Sequence, residues 1–284
     1  MNGTDQPIAR LEVTADSAPL WDAESLVTVN ANVGMEQQMT SQATPRLKLN
    51  FEVLAQAKYL APYLKLIRSQ PQTNLAKEYD FLKHWVLQNK KLVESSLTTT
   101  EGTSAASNLM MITSALPGEG KTFTSFNLAM SIATARDATS VLLIDADPIG
   151  RSLTSLIGLV DAPGLTDLLL DTRVNLREVI VHTNVPNLKV IPAGSAYPNA
   201  MDLLADEQMR DLTGELSTRY SNRIILFDTM PLLFNSPVLF LTSLMGIILV
   251  VVEEGKTPQK AIKEAISLLD QSKVIGMILN KCLL

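Results

Sequence analysis

The chain has 284 residues, 46% of them apolar and 19% charged, which is the composition of a protein that buries a core and excludes a disordered chain. A net charge of −5 argues against a broad nucleic-acid surface, so an anionic ligand would need local donors and a metal ion to hold it. The lone cysteine, Cys282, rules out a disulfide within the chain and fits a reducing cytoplasm, and the opening "MNGTDQPIARLEV" lacks the basic-then-apolar order of a signal peptide.

Residues 1–45 are rich in Thr, Ser, Gln and Asn without periodicity and read as a largely flexible segment. Residues 46–107 read as a helical segment and linker. "LKLNFEVLAQAKYLAPYLKLI" and "NLAKEYDFLKHWVLQNKKLVESS" space apolar residues three to four apart, which predicts two amphipathic helices before the linker "LTTTEGTSAASN". Residues 108–284 read as one nucleotide-binding domain. Strands are predicted at "LMMITSA", "SVLLIDA", "LKVIPAG", "RIILFDT", "GIILVVVE" and "VIGMILN". Helices are predicted after Gly120, at "LTDLLL", through "NAMDLLADEQMRDLTGELSTRY", and at "TPQKAIKEAISLLDQS" with Thr257 as N-cap. This alternation predicts an α/β fold, a mostly parallel sheet with helices on both faces. The uncharged run from Leu232 to Val252 is long enough to resemble a membrane span. Asn235, Pro237 and Gly246 interrupt it, which predicts a short helix and then a buried strand.

The chemistry concentrates at "MMITSALPGEGKTFTSFNLAMSIA". A strand, a glycine-containing loop and a helix follow one another, the context of a phosphate-binding loop. Gly118 and Gly120 let backbone N–H groups approach phosphate oxygens, the helix start adds its positive end, Lys121 reaches the terminal phosphates, and the Thr122 hydroxyl can bind Mg²⁺. Pro117, Gly118, Glu119, Gly120, Lys121, Thr122 and Phe123 form the candidate nucleotide-binding stretch. Ala115 stands where the usual pattern has its first glycine. Two further strands end in carboxylates, Asp145 and Asp147 in "VLLIDAD" and Asp228 in "IILFDTMP". Strand ends beside a phosphate loop are where Mg²⁺ or its waters are held, although Asp147 before Pro148 would alone read as a turn former. Asn280 and Lys281, in "LNKC" at the end of the last strand, could touch a base or could equally be an ordinary strand end.

With these motifs in order, the chain resembles the bacterial tyrosine kinases, phosphate-loop proteins unrelated to the eukaryotic kinase fold, and most closely the autokinases of exopolysaccharide gene clusters associated with exosortase systems. The resemblance runs from about Leu47 to Cys282, and "SALPGEGKTFTSFNLAMSIA" carries it most specifically. It implies transfer of the ATP γ-phosphate to tyrosine. Lys121, Asp145 and Asp147 would be catalytic, with Asp147 helping to activate the tyrosine hydroxyl, and Thr122, Asp145 and Asp228 would hold Mg²⁺. It also implies a membrane-bound polysaccharide co-polymerase with a cytosolic tail as activator, recruiting a cytoplasmic chain to the inner face of the membrane, and it leaves homo-oligomer formation open. The alternative is a switch ATPase of the partitioning and division-site class, which phosphorylates no protein. That class carries a signature lysine where this chain has Leu116. The chain departs from the kinase pattern in four places. Ile149 and Gly150 replace an expected basic residue, Met230 replaces a proline, and Lys77, Asp80 and Lys83 stand in place of a Glu-x-x-Arg-x-x-Arg assembly pattern. All five tyrosines (Tyr59, Tyr63, Tyr79, Tyr197, Tyr220) lie ahead of the last 64 residues.

Overall fold

The computed structural model describes residues 9–10, 46–47, 74–97, 107–135, 139–234, 236–270 and 273–281. Its strands are β1 (Ala9–Arg10), β2 (Arg46–Leu47), β3 (Leu109–Ser114), β4 (Val141–Ala146), β5 (Val181–Thr183), β6 (Leu188–Ile191), β7 (Ile224–Thr229), β8 (Ile247–Glu253) and β9 (Val274–Asn280). Its helices are α1 (Asn74–Leu97), α2 (Lys121–Ala133), α3 (Ser152–Leu156), α4 (Leu165–Leu170), α5 (Leu176–Val179), α6 (Glu207–Arg219), α7 (Ser236–Leu244) and α8 (Gln259–Ser267). The strands form one nine-stranded sheet in the order β1-β9-β8-β3-β7-β4-β6-β5-β2. Only β5 runs antiparallel to its neighbour β6, and the outermost β1 and β2 are two-residue pairings.

All six predicted strands are present, and their unbroken apolar sequences have a direct cause. Alternate residues feed two separate cores. Met110, Ile112, Leu143, Leu226 and Leu249 face the side covered by α1 and α2. Met111, Ile144, Ile225, Phe227 and Ile248 face the side covered by α4 to α8. A strand buried on both faces has no polar side to show. The run from Leu232 to Val252 resolves into α7 and β8, and among the described residues no helix is long and apolar enough to cross a membrane.

Three readings change. The helix predicted over residues 199–220 is divided: a 3₁₀ turn at Asp202–Ala205 gives way to α6, because Asp206 accepts from Glu207 N–H and restarts the chain as an N-cap. Thr257 does not cap α8. Its hydroxyl turns back to accept from Glu253 N–H at 3.0 Å and to donate to Glu119 in the phosphate loop. Strand β5 is too short to show a period. Most of residues 1–45, the first amphipathic helix beyond Leu47, and the linker over residues 98–106 lie outside the described residues, as does Cys282.

The predicted helix at residues 74–96 is α1, and it closes one face of the sheet. Tyr79 meets Phe123 of α2 edge to face, with ring centroids 6.3 Å apart, and the Ser131 hydroxyl lies 3.3 Å from the Tyr79 carbonyl oxygen. Trp85 sits directly over Gly276 in β9. A β-carbon at Gly276 would come within 2.7 Å of the indole and 2.8 Å of Leu249. Gly276→Leu is therefore predicted to push α1 off the sheet and to cost about 1–3 kcal/mol by overpacking. Urea unfolding reads this directly, and an unchanged midpoint would refute the contact.

Candidate nucleotide site

The six inner parallel strands end together on one edge, and the loop between β3 and α2 crosses that edge. Gly118 and Gly120 adopt φ of +79° and +96°, a region that side-chain-bearing residues rarely occupy. Ala115 is fully buried and is not among the positive-φ residues, so alanine fits where the usual pattern has glycine. The loop is shaped from within: the Ser114 hydroxyl donates to the Leu116 carbonyl at 2.6 Å, and Leu116 N–H donates to the buried Glu119 carboxylate at 2.8 Å. Gly120 then caps α2, whose first residues are Lys121 and Thr122. The N–H groups of that first turn and the helix dipole favour an anion. Pro117 is exposed at the loop tip. The Phe123 ring packs against Tyr79, so any contact of that residue with a nucleotide would come from its backbone.

The three carboxylates arrive as predicted. Asp145 and Asp228 share a register position on the neighbouring strands β4 and β7. Both are buried, at 0% and 1% exposure. Asp228 accepts from the Ser125 hydroxyl at 2.9 Å, with the Thr122 hydroxyl as a second partner. Asp145 is engaged on both oxygens. One takes Thr154 N–H at 2.8 Å and the Thr154 hydroxyl at 2.7 Å, and the other takes Asp147 N–H at 3.1 Å. Asp147 is partly exposed, and its carboxylate is oriented by Gly150 N–H at 2.7 Å. A β-carbon at Gly150 would collide with that carboxylate. Asn280 donates its side-chain amide to the Glu119 carbonyl at 2.9 Å.

Sequence reasoning did not single out Ser125 or Thr154. Ser125 stands one helical turn after Lys121, which was a usable signal, because residues four apart share a helix face. Thr154 gave none. It lies on a five-residue helix, and its link to Asp145 exists only after the chain folds back.

Electrostatics follow from burial. Desolvation, reinforced by Asp145 nearby, pushes the Asp228 carboxyl up to about 7, against the opposing pull of Thr122, Lys121 and Ser125. Desolvation also raises Asp145 to about 6 although Thr154 and Asp147 donate to it. The same burial lowers Lys121, partly offset by Asp228, Asp147 and Glu119. A half-buried hydroxyl, a buried carboxylate and a desolvated lysine fit a hard divalent cation bound with phosphates, which would return both carboxylates to the charged state. The consequence for stability is specific. Both aspartates bind protons in the folded chain above pH 3.8, where the unfolded chain has released them. The nucleotide-free protein therefore loses stability as pH rises from about 4 to about 7. Asp228→Asn keeps an acceptor for the two hydroxyls and removes the buried charge. It should stabilise the nucleotide-free protein at pH 7.5 by about 1–2 kcal/mol and flatten its pH profile. Thermal melting across pH tests this, and a less stable variant would contradict it.

Comparison with known proteins agrees with this geometry. The family profile described as an AAA domain matches residues 107–273. The tyrosine-protein kinase YwqD of Bacillus subtilis (strain 168) is 33% identical over 174 residues, covering 60% of this chain and 71% of that protein. The tyrosine-protein kinase ptk of Acinetobacter johnsonii is 36% identical over 179 residues, 62% of this chain, and the match spans 24% of that longer protein. The solved kinase domain of Escherichia coli tyrosine kinase ETK superposes with a TM-score of 0.57 at 30% identity, covering 68% of this chain and 74% of that one. With the phosphate loop and its three strand-end aspartates in the family's order, the chain belongs to the bacterial tyrosine kinases, built on a phosphate-loop AAA domain.

Proposed function

We propose that this chain is an ATP-dependent protein-tyrosine kinase of the autokinase type that regulates exopolysaccharide synthesis or export. The observation that carries this reading is the gathering of Lys121, Thr122, Asp147 and Asp228 on one sheet edge around the first turn of α2. The names of the relatives support it, since both curated matches above are tyrosine-protein kinases.

Backbone N–H groups of Gly118, Gly120, Lys121 and Thr122 would take the phosphates, with the Lys121 ammonium on the terminal ones. Thr122 and Asp228 would hold Mg²⁺, and when bound the ion neutralises charge developing on the phosphoryl oxygens. Asp147, the least buried member of the acidic set, accepts the proton of the attacking tyrosine hydroxyl. Asp145 acts by position: with both oxygens engaged inside the chain, it fixes Asp147 through its N–H and holds α3 through Thr154. The membrane-bound polysaccharide protein implied by the resemblance would serve as activator and draw the chain to the membrane.

A switch ATPase is the second reading. Ile149 and Gly150, in place of a basic residue, favour it, and Leu116, in place of that class's signature lysine, weighs against it. Incubation with γ-labelled ATP, Mg²⁺ and a tyrosine-rich acceptor peptide separates the two. Label on tyrosine supports the kinase, and free phosphate without protein or peptide label supports the ATPase. Lys121→Ala is predicted to abolish nucleotide use, because the point charge on the terminal phosphates is gone. Asp147→Asn should bind ATP normally while transfer falls about 100-fold or more, the range of a lost general base. Wild-type transfer by that variant would remove Asp147 from the chemistry.

A further inference from the structure

The phosphate loop is tied to two segments distant in sequence, the end of β9 and the turn after β8, through contacts that no nucleotide motif accounts for. The Lys281 ammonium donates to the Gly118 carbonyl at 2.7 Å and pairs with Glu253 at 3.1 Å. Asn280 donates to the Glu119 carbonyl at 2.9 Å. These are the carbonyls of consecutive loop residues. The Thr257 hydroxyl donates to the Glu119 carboxylate, whose other oxygen takes Leu116 N–H across the loop. Lys281 adopts φ of +58°, an uncommon conformation for a residue bearing a side chain, just past the end of β9. A β-carbon on Gly120 would strike the Asn280 amide, so that glycine is required by the tie as well as by the loop's own turn.

We propose that Asn280, Lys281 and Thr257 are positioning residues that set the shape of the phosphate loop, and that Asn280 acts on the loop and does not read the base. The physical reason is directional. A phosphate cradle needs its N–H groups turned inward, so its carbonyls must point away and find donors elsewhere. Here the donor for Gly118 is the Lys281 ammonium just past β9, and the donor for Glu119 is the Asn280 amide at its end. Thr257 joins the same bracket to the turn entering α8, since its hydroxyl also accepts from Glu253 N–H. Loop geometry thereby depends on residues more than 130 positions away in sequence.

The inference rests on the nucleotide-binding part of the proposed function, and its test separates the two. Binding of MgATP, MgGTP and base-free magnesium tripolyphosphate would be measured by calorimetry for the wild type, Asn280→Ala, Lys281→Met and Lys281→Arg, with thermal melting to confirm folding. A clamp on the loop predicts that Asn280→Ala and Lys281→Met weaken ATP and tripolyphosphate in parallel, each by about tenfold, the size of a lost charge-assisted or buried hydrogen bond. The ATP-to-GTP ratio should stay constant, and Lys281→Arg should recover most of the loss. If Asn280→Ala weakens ATP and leaves tripolyphosphate untouched, or changes the ATP-to-GTP ratio, Asn280 reads the base and the proposal falls. Folded variants that bind all three ligands like wild type also overturn it. A wild type that binds none of them would instead remove the nucleotide site itself.

Discussion

Two carboxylates on adjacent strands at the same register, Asp145 and Asp228, are the constraint around which the sheet edge is organised. Both are buried, and desolvation, joined at Asp228 by the charge of Asp145 and at Asp145 by that of Asp147, holds both well above the ordinary carboxylate range. A fold optimised for stability would replace them with apolar or neutral residues. Their retention makes sense if the edge is completed by cations, one from the chain and one from outside. Lys121 is the chain's own, and its burial beside Asp228 leaves it poorly hydrated and ready for phosphate oxygens. The two aspartates differ in what remains free. Thr154 and Asp147 occupy both oxygens of Asp145, whereas Asp228 is met by small hydroxyls from the first turns of α2.

Much of this was legible in the sequence because it is local. An apolar run ending in Asp gives both the strand and the place where its carboxylate emerges. Gly118, Gly120, Lys121 and Thr122 are consecutive or nearly so, and their spacing alone orders them at a helix start. The parts that escaped are long-range. Thr257 looked like an N-cap because Thr before Pro at a helix start usually is one. Its hydroxyl oxygen takes Glu253 N–H instead of a helix N–H, and its proton goes to Glu119, 138 residues away, a partner that no local rule weighs. Asn280 offered either a base contact or an ordinary strand end, and only the folded chain brings the Glu119 carbonyl to its amide.

The departures from the kinase pattern have local physical accounts. Met230 is buried among apolar residues, and its carbonyl accepts from the Thr113 hydroxyl at 2.8 Å, a backbone contact that does not depend on the side chain. Asp80 and Lys83 of α1 pair with each other at 2.8 Å, and Asp80 also receives the Ser131 hydroxyl, so Asp80 is engaged inside its own chain.

The acidic motif is the most informative departure. Arg151, the nearest basic residue to Asp147, adopts φ of +46° and spends one guanidinium nitrogen on the carbonyls of Val160 and Gly194, both at 2.6 Å. It holds the loops after α3 and β6 together and offers its charge to structure. At Gly150, the position before it, a β-carbon would press on the Asp147 carboxylate that Gly150 N–H orients. The motif has exchanged a mobile positive charge for a fixed carboxylate. On the proposed reading that exchange would remove one source of transition-state charge stabilisation from this strand end, and it leaves Asp147 held by Gly150 and partly exposed, as an acceptor of a substrate proton would need to be. On the proposed reading, charge stabilisation at this edge would then fall to Lys121, to a cation held by Thr122 and Asp228, and to the amides of the loop, so that phosphoryl transfer would depend on the rigidity of that loop.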